Sequence, residues 1–166
     1  MGSVNMGYSL GKGDFMEEDS AQSTSDGIAI LRSREKDDRV ASFLDMRLLE
    51  LSPGYARVAM KMKPEYQNST GIIFGGIIMA LADQAFAYAS NSLVYPSLAS
   101  QFNAHFIAGA RVDDELTAEC RVLKSGRRVG ISEVTVTNQE GRLVARATGT
   151  TIPVVSSGKV SPGKAR

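Results

Sequence analysis

Cysteine, histidine and tryptophan are nearly missing from this chain of 166 residues, which contains one cysteine, one histidine and no tryptophan. The single cysteine, Cys120, excludes an intrachain disulfide, and nothing in the composition indicates an oxidising compartment. The single histidine, His105, has no companion cluster of Cys or His, which argues against a metal site. A Ser-His-Asp triad would have to use His105, and no feature of the sequence pairs a serine with it. We therefore expect a protein that needs no metal and no other cofactor.

Long apolar runs and an excess of one charge are missing too. No apolar run reaches the ~18 residues of a membrane span, and the N-terminal stretch lacks the continuous apolar segment of a signal peptide. The net charge is +1, whereas nucleic-acid binding relies on many clustered lysines and arginines that neutralise phosphates. The sequence therefore predicts a soluble, cytoplasmic protein that binds neither membranes nor nucleic acid.

Both ends of the chain are poor in apolar residues and rich in Gly, Ser and charged residues. Such compositions bury too little apolar surface to offset the entropy lost on ordering. We interpret residues 1–35 as a disordered or loosely packed arm, residues 36–154 as one folded domain and residues 155–166 as a flexible tail.

The patterning of the central region predicts an α+β domain. Residues 37–44 have apolar side chains at helical spacing behind an aspartate that can cap a helix. The turn "SPG" joins two strand-like runs, at 45–51 and 55–62, into a hairpin. A long helix at 75–91 precedes four strand-like runs, at 97–108, 115–123, 129–137 and 142–152, of which the last three form a predicted antiparallel meander. A sheet of this size can bury its apolar face by wrapping around the one long apolar helix, which we therefore expect.

The long helix carries one carboxylate, Asp83, within the stretch "NSTGIIFGGIIMALADQAFAYASN". A wheel of ~100° per residue divides its residues into two groups. The group beside Asp83 is mostly small: Gly76, Met79, Ala80, Phe86, Ala87 and Ser90. The opposite group is bulky and is predicted to face the sheet: Ile77, Ile78, Leu81, Ala85 and Tyr88. The Asp83 face is therefore one that another backbone or a ligand can approach closely.

The glycine pair Gly75–Gly76 stands where this helix begins. The unpaired N–H groups of the first turn lie beside residues with no side chain, and such an end can hold an anion or polarise a carbonyl. The alternative is that the glycines only allow a tight turn from loop to helix.

Spacing along the helix relates the glycines to the aspartate. Gly76 and Asp83 are seven residues apart, which at ~1.5 Å per residue is roughly 10 Å along the axis. A carbonyl held by the first-turn amides cannot also meet the carboxylate of the same helix at the ~3 Å needed for chemistry. If both groups act on one carbon, they come from two chains of a homodimer. The alternative for Asp83 is a non-catalytic carboxylate held by hydrogen bonds at a dimer interface.

The stretch "NSTGIIFGGIIMALAD" (68–83) resembles the signature of PaaI-type hotdog-fold thioesterases. The resemblance implies a five- or six-stranded antiparallel sheet around a long central helix, homodimers often paired into homotetramers, and hydrolysis of acyl-CoA. It further implies that Asp83 is the general base or nucleophile. Gly76 of the other subunit would donate its N–H to the thioester carbonyl, and Asn68 would position the water or the thioester.

Two departures from the family pattern bear on the substrate site. The usual histidine before the glycine pair is Phe74, and Ala108 and Gly109 replace the usual Arg and Pro after the third strand. Arg111 and the turn "KSGRR" are possible substitutes for the missing cation. The residues that we expect at the substrate are Phe74, Gly75, Met79, Phe86, His105, Lys124, Arg127 and Arg128.

Two other functions stay open. A hotdog domain can hold acyl-CoA without hydrolysing it, and Phe74 and Ala108 keep this interpretation in play. A hotdog dehydratase is a further option, but it generally needs an Asp-His pair that the central motif lacks.

Overall fold

A computed structural model describes residues 24–154 and contains three α-helices and six strands within that range. The helices are α1 (Thr24–Arg34), α2 (Arg39–Phe43) and α3 (Gly75–Asn91). The strands are β1 (Arg47–Ser52), β2 (Tyr55–Lys61), β3 (Ser97–Phe106), β4 (Glu115–Lys124), β5 (Gly130–Thr137) and β6 (Leu143–Pro153). Short 3₁₀ turns at Glu35–Asp37 and Pro64–Tyr66 complete the elements. No helix in this range is long and apolar enough to cross a membrane.

All six strands form one antiparallel sheet in the order β1-β2-β4-β5-β6-β3. The predicted hairpin of β1 and β2, the predicted meander of β4, β5 and β6 and the predicted long helix are confirmed. Strand β3 follows α3 in the chain but pairs with β6, so it lies at an edge of the sheet, and β1 forms the other edge. The fold is α+β, with the sheet wrapped around one central helix.

The contact between α3 and the sheet makes the core. Buried side chains of α3, such as Ile78 and Leu81, meet buried side chains of the inner strands, such as Val58, Leu116 and Val134. Burying an aliphatic or aromatic side chain of this size stabilises the fold by roughly 2 kcal/mol. This contact therefore fixes which way α3 faces.

The buried arc of α3 is wider than the wheel predicts. Ile78, Leu81, Ala85 and Tyr88 are buried as expected. Phe86 and Ser90, which the wheel groups with Asp83, are only 1% and 6% exposed, so the expectation that this group stays open to another backbone or a ligand is wrong for these two residues. The curled sheet covers the flank of the helix as well as its underside, and the Phe86 ring packs against Phe102 of β3 at 5.4 Å between centroids. The stripe of α3 that stays exposed is Met79, Asp83 and Ala87.

Helix α1 is not among the predicted elements, and the arm therefore does not extend to residue 35. Ile28 and Leu31 pack against the core at helical spacing, which a judgement based on composition alone does not detect. At Gly27, a Cβ would lie 3.0 Å from the carbonyl oxygen of Asn91, so α1 crosses close to the end of α3. The remainder of the predicted arm, residues 1–23, and the predicted tail, residues 155–166, lie outside the described residues.

Helix α2 begins at the predicted aspartate cap. Asp38 Oδ1 accepts a hydrogen bond from the Ala41 amide at 2.9 Å. Asp38 Oδ2 accepts a second one from Gln84 Nε2 at 2.8 Å. The Asp38 carboxylate therefore caps α2 and also connects it to α3 through Gln84, the residue that follows Asp83.

The Phe86 ring depends on a glycine in β6. A Cβ at Gly149 would lie 2.5 Å from Phe86 Cζ. We expect Gly149→Ala to lower the free energy of unfolding by about 1–3 kcal/mol, because the ring has no free space to move into. The measurement is urea denaturation at equal protein concentration.

Gly109→Ala is the matched control, because no atom lies within 4 Å of a Cβ at that position. It is expected to change the unfolding free energy by no more than about 0.5 kcal/mol. Equal effects of the two substitutions would contradict the described packing of Phe86.

Candidate active site

The first turn of α3 has amides without a partner. Phe74 is the N-cap residue and makes no side-chain cap, and the Ile77 amide donates to the Phe74 carbonyl at 2.9 Å. Within residues 24–154, no hydrogen-bond acceptor bonds to the amide of Gly75 or Gly76. The positive end of the helix dipole is therefore available to a carbonyl or an anion from outside the chain.

The glycine pair is required for space and not for a turn. Neither glycine has positive φ, whereas Gly71 in the preceding loop does. A Cβ at Gly76 would lie 2.5 Å from Phe74 Cε1, and a Cβ at Gly75 would lie 3.1 Å from Phe106 Cζ. Two aromatic rings thus occupy the positions that side chains would fill. The interpretation of the pair as a tight turn only is not supported.

Asn68 organises the loop before the helix. Its Oδ1 accepts hydrogen bonds from the Thr70 amide at 2.9 Å, the Thr70 hydroxyl at 2.7 Å and the Ile72 amide at 3.2 Å. The oxygen is therefore occupied, and the Nδ2 donor of this exposed side chain has no partner among the described residues. Asn68 can donate to a thioester or a water, but it has little capacity left to accept from one.

Asp83 is exposed between Met79 and Ala87 on the uncovered stripe of α3. No donor among the described residues bonds to its carboxylate, and the surrounding protein raises its pKa above the usual aspartate range by desolvation. A carboxylate with free lone pairs and a raised pKa is a competent base or nucleophile. The part of the chain that the structure describes offers none of the hydrogen bonds that a purely structural carboxylate would need.

Gly76 and Asp83 share one face of α3, seven residues apart. The separation is roughly 10 Å along the axis. One chain therefore holds these two groups on one helix face without bringing them together.

Two of the predicted substrate residues are not at this site. Phe102 and Ala104 of β3 pack against the core, and Phe106 reaches Gly75, so these alternate residues of the second half of β3, beyond its bulge, face the helix. Side chains alternate along a strand, and His105 is therefore on the outer face of the sheet, paired with Arg146. Phe86 is buried in the core. Phe106 lies at the first turn of α3 instead, and the strand alternation of β3 is the signal that could have identified it.

The predicted basic residues lie at both ends of α3. Lys124, Arg127 and Arg128 are exposed in or beside the β4–β5 turn, which lies near Ser90 at the C-terminal end of α3. Arg111 lies at the other end, where it lines an open groove of about 540 Å³ with Ile72 of the Asn68 loop.

Arg142 lines the same groove and was not predicted from the sequence. Its Nη2 donates to the Gly109 carbonyl at 2.8 Å. Among residues 24–154 there is no group of three or more His, Cys, Asp or Glu side chains that could hold a metal ion.

Comparisons with known proteins agree with this arrangement. The family model of the thioesterase superfamily matches residues 70–145, which include α3, strands β3 to β5 and the start of β6. A protein of Archaeoglobus fulgidus is 37% identical over 115 residues, which are 69% of this chain and 75% of that protein. Acyl-coenzyme A thioesterase PaaI of Escherichia coli is 31% identical over 110 residues, which are 66% of this chain and 79% of that enzyme.

Solved structures show the same fold. The structure of E. coli PaaI superposes with a TM-score of 0.75 at 28% identity and covers 80% of this chain and 97% of that one. A Streptococcus mutans protein with bound acetyl CoA superposes with a TM-score of 0.64 at 27% identity, over 66% of this chain and 88% of that one. The hotdog fold expected from the sequence is confirmed, and the chain belongs to the thioesterase superfamily as a PaaI-type hotdog protein.

Proposed function

We propose that this protein hydrolyses acyl-CoA thioesters to a free acid and CoA, at a site built from two copies of the chain. Asp83 carries the proposal. Its carboxylate has no hydrogen-bond donor among residues 24–154, has a raised pKa, and shares a helix face with the open amides of the glycine pair. The names of the relatives support the reaction class: E. coli PaaI is an acyl-coenzyme A thioesterase, and the S. mutans protein binds acetyl CoA.

The chemistry follows from these groups. A water attacks the thioester carbonyl while Asp83 accepts its proton. The carbonyl oxygen becomes an oxyanion, which the Gly76 amide, the neighbouring Gly75 amide and the helix dipole stabilise. The C–S bond then breaks, and the CoA thiolate leaves and takes up the proton. Direct attack by Asp83, with a mixed anhydride that water then hydrolyses, uses the same groups.

The position of Asn68 fits a donor role in this reaction. Its Nδ2 is the free end of a side chain whose oxygen is held by the loop. We propose that it donates to the thioester or to the attacking water. Met79, on the exposed stripe one turn before Asp83, lines the acyl side of the site.

A homodimer with antiparallel α3 helices brings the two halves together. Ala80 and Ala87 are small and partly or fully exposed, so two helices can approach closely beside Asp83. With the helices antiparallel, Gly76 of each chain meets Asp83 of the other, and a dimer has two sites. Strand β3 has an unpaired edge that can continue the sheet into the second copy. Pairing of two dimers into a tetramer is our further expectation.

The same geometry gathers basic side chains at one end of each site. The chain that supplies Asp83 contributes Lys124, Arg127 and Arg128 from the C-terminal end of its α3. The chain that supplies Gly76 contributes Arg111 from the N-terminal end of its own α3. Because the helices are antiparallel, these two ends are neighbours. We propose that they contact the phosphates of CoA.

A non-catalytic acyl-CoA binding protein is the second candidate, and Phe74 in place of the family histidine favours it. Thiol release from short, medium, long and aromatic acyl-CoAs separates the two. Binding in calorimetry with no thiol released would favour the second candidate.

Asp83→Asn is expected to lower kcat about 10²–10⁴-fold, the usual contribution of a general base. The amide cannot accept the proton of water. Thiol release with the best acyl-CoA is the measurement. Asp113→Asn is the control, because Asp113 is exposed at positive φ, a conformation that Asn adopts readily. Wild-type turnover by Asp83→Asn would refute the role of Asp83.

The pH dependence of kcat/KM has a defined sign. Only the ionised form of Asp83 accepts a proton, and desolvation raises its pKa. The rate should therefore fall on the acid side with a midpoint above the usual aspartate range. Persistence of this limb in the residual activity of Asp83→Asn would assign it to another group.

The contribution of Asp83 to stability has the opposite pH dependence to its contribution to activity. Because the folded-state pKa of Asp83 lies above the unfolded value, its favourable contribution is complete below the unfolded pKa and is lost as the pH rises through the folded pKa. Asp83→Asn should consequently be more stable than the wild type at pH 7, measured by thermal unfolding. Equal or lower stability of the variant would contradict a desolvated, unpartnered carboxylate.

Mixed dimers test the sharing of the site. A chain with Asp83→Asn is co-expressed with a chain that carries Gly76→Pro, which removes the N–H of the second helical residue. If each site takes one residue from each chain, the doubly tagged heterodimer has one intact site and recovers about half of the wild-type rate per dimer. Each parent homodimer has none. A heterodimer as inactive as its parents would place the whole site within one chain.

A further inference from the structure

Two aromatic rings stand at the first turn of α3. Phe74 is the N-cap residue of α3, and Phe106 is the last residue of β3. The Phe74 ring occupies the Cβ position of Gly76, with ring atoms at 2.5–3.4 Å, and the Phe106 ring occupies that of Gly75, at 3.1–3.4 Å. Each of the two glycines, whose amides have no partner among the described residues, thus has an aromatic ring against its Cβ position. We call Phe74 and Phe106 the aromatic collar.

The collar is in contact with the helix but is not buried in the chain. Phe74 is 57% and Phe106 is 53% exposed, and three further apolar side chains near the same end, Ile72, Met79 and Ile107, are 43–54% exposed. Rings that serve only to fill the core have the exposure of Phe86, which is 1%. Each collar ring therefore rests on a glycine and turns its remaining surface outward.

We propose that Phe74 and Phe106 are positioning residues of the acyl-CoA site, which exclude water from the Gly75 and Gly76 amides and hold the apolar carbons that flank the thioester carbonyl. This inference rests on the proposed function and names a role for side chains that the reaction scheme does not use. Neither ring bears a hydrogen-bond donor or acceptor, so neither competes with the carbonyl for the amides.

The physical effect is one of local dielectric. Hydrogen bonds from the amides to a developing oxyanion are stronger when bulk water is kept away. The family pattern places a hydrogen-bonding histidine at position 74, whereas this chain has an apolar ring there. The only histidine, His105, lies on the outer face of β3 and cannot replace it. In this chain, exclusion of water takes the place of a polar contact at the helix end.

The aromatic collar also explains why residues 75 and 76 are glycines. Because both have negative φ, their backbone would accept alanine, and only the rings prohibit a Cβ. Gly76 and Phe74 are thus one packing unit. Substitutions at the two positions should therefore not be additive.

The first test is the kinetics of Phe74→Ala and Phe106→Ala. We expect each to lower kcat about tenfold with a smaller change in KM, because the amides act mainly on the transition state. Phe74→Leu keeps an apolar cover and should recover at least half of the loss on a logarithmic scale. Phe43→Ala is the control, since Phe43 is an aromatic residue of α2 that is 82% exposed. Wild-type kcat in both alanine variants would overturn the proposal.

The second test is a double-mutant cycle. Gly76→Ala should reduce kcat about tenfold in the wild type, where the new Cβ displaces the Phe74 ring, and by no more than about twofold in Phe74→Ala. Additive effects would show that the ring does not rest on Gly76 during turnover and would overturn the proposal. Circular dichroism of each variant checks that it is folded.

These outcomes are distinguishable from failure of the proposed function, which Asp83→Asn decides. If Asp83→Asn is inactive and the collar variants behave as the wild type, the function stands and the collar is rejected. If the wild type releases no thiol from any acyl-CoA, the function fails. The role of the collar is then tested by measuring acyl-CoA affinity in calorimetry, which Phe74→Ala must lower if the proposal holds.

Discussion

The burial of α3 in the concave face of the sheet is the contact on which the rest of the structure depends. It uses nearly the whole circumference of the helix: the underside through Leu81 and Ala85, and the flank through Phe86, whose ring needs the missing side chain of Gly149. What is left is a narrow stripe with Asp83 at its centre. A carboxylate at position 78, 81, 82 or 85 of α3 would lie in the apolar core. The width of the arc of α3 that the sheet covers thus sets both the packing of the core and the position left open for Asp83.

Two carboxylates of this chain show what is special about that stripe. Burial acts to raise the pKa of Asp114, but hydrogen bonds from the Arg111 amide and Gln139, with the charges of Arg142 and Arg111, hold it below the usual range. Asp83 has desolvation and no such partners, so its pKa rises. The first carboxylate stabilises a turn. The second, like the uncapped first turn of α3, has no hydrogen-bond partner among the described residues, at a cost in stability that the proposed site tolerates.

Most of the fold was predictable from hydrophobic periodicity, because strands and a long amphipathic helix repeat their apolar residues at characteristic spacings. The long helix, the hairpin and the meander were predictable for this reason. Helix α1 was not, since its contribution depends on two apolar residues and a close crossing at Gly27. The candidate site was predictable in part. Spacing in the sequence relates Gly76 to Asp83. Only the structure shows which face of β3 each side chain occupies, and it places His105 away from α3 and Phe106 beside it. The burial of Phe86 depends on how far the sheet curls, which no local pattern encodes.

The proposed dimer has a consequence for Asp83 that neither chain shows alone. Covering the stripe with a second helix removes more water from the carboxylate, and this raises its pKa further. The same contact places the open amides of the other chain opposite the carboxylate, and the positive end of that helix favours the ionised form. Assembly therefore applies two opposed effects to one group, and the aromatic collar adds to both, because a drier cleft strengthens desolvation and the field of the helix alike. The base strength of Asp83 is in this view a property of the interface, set by how closely the small residues let the two helices approach.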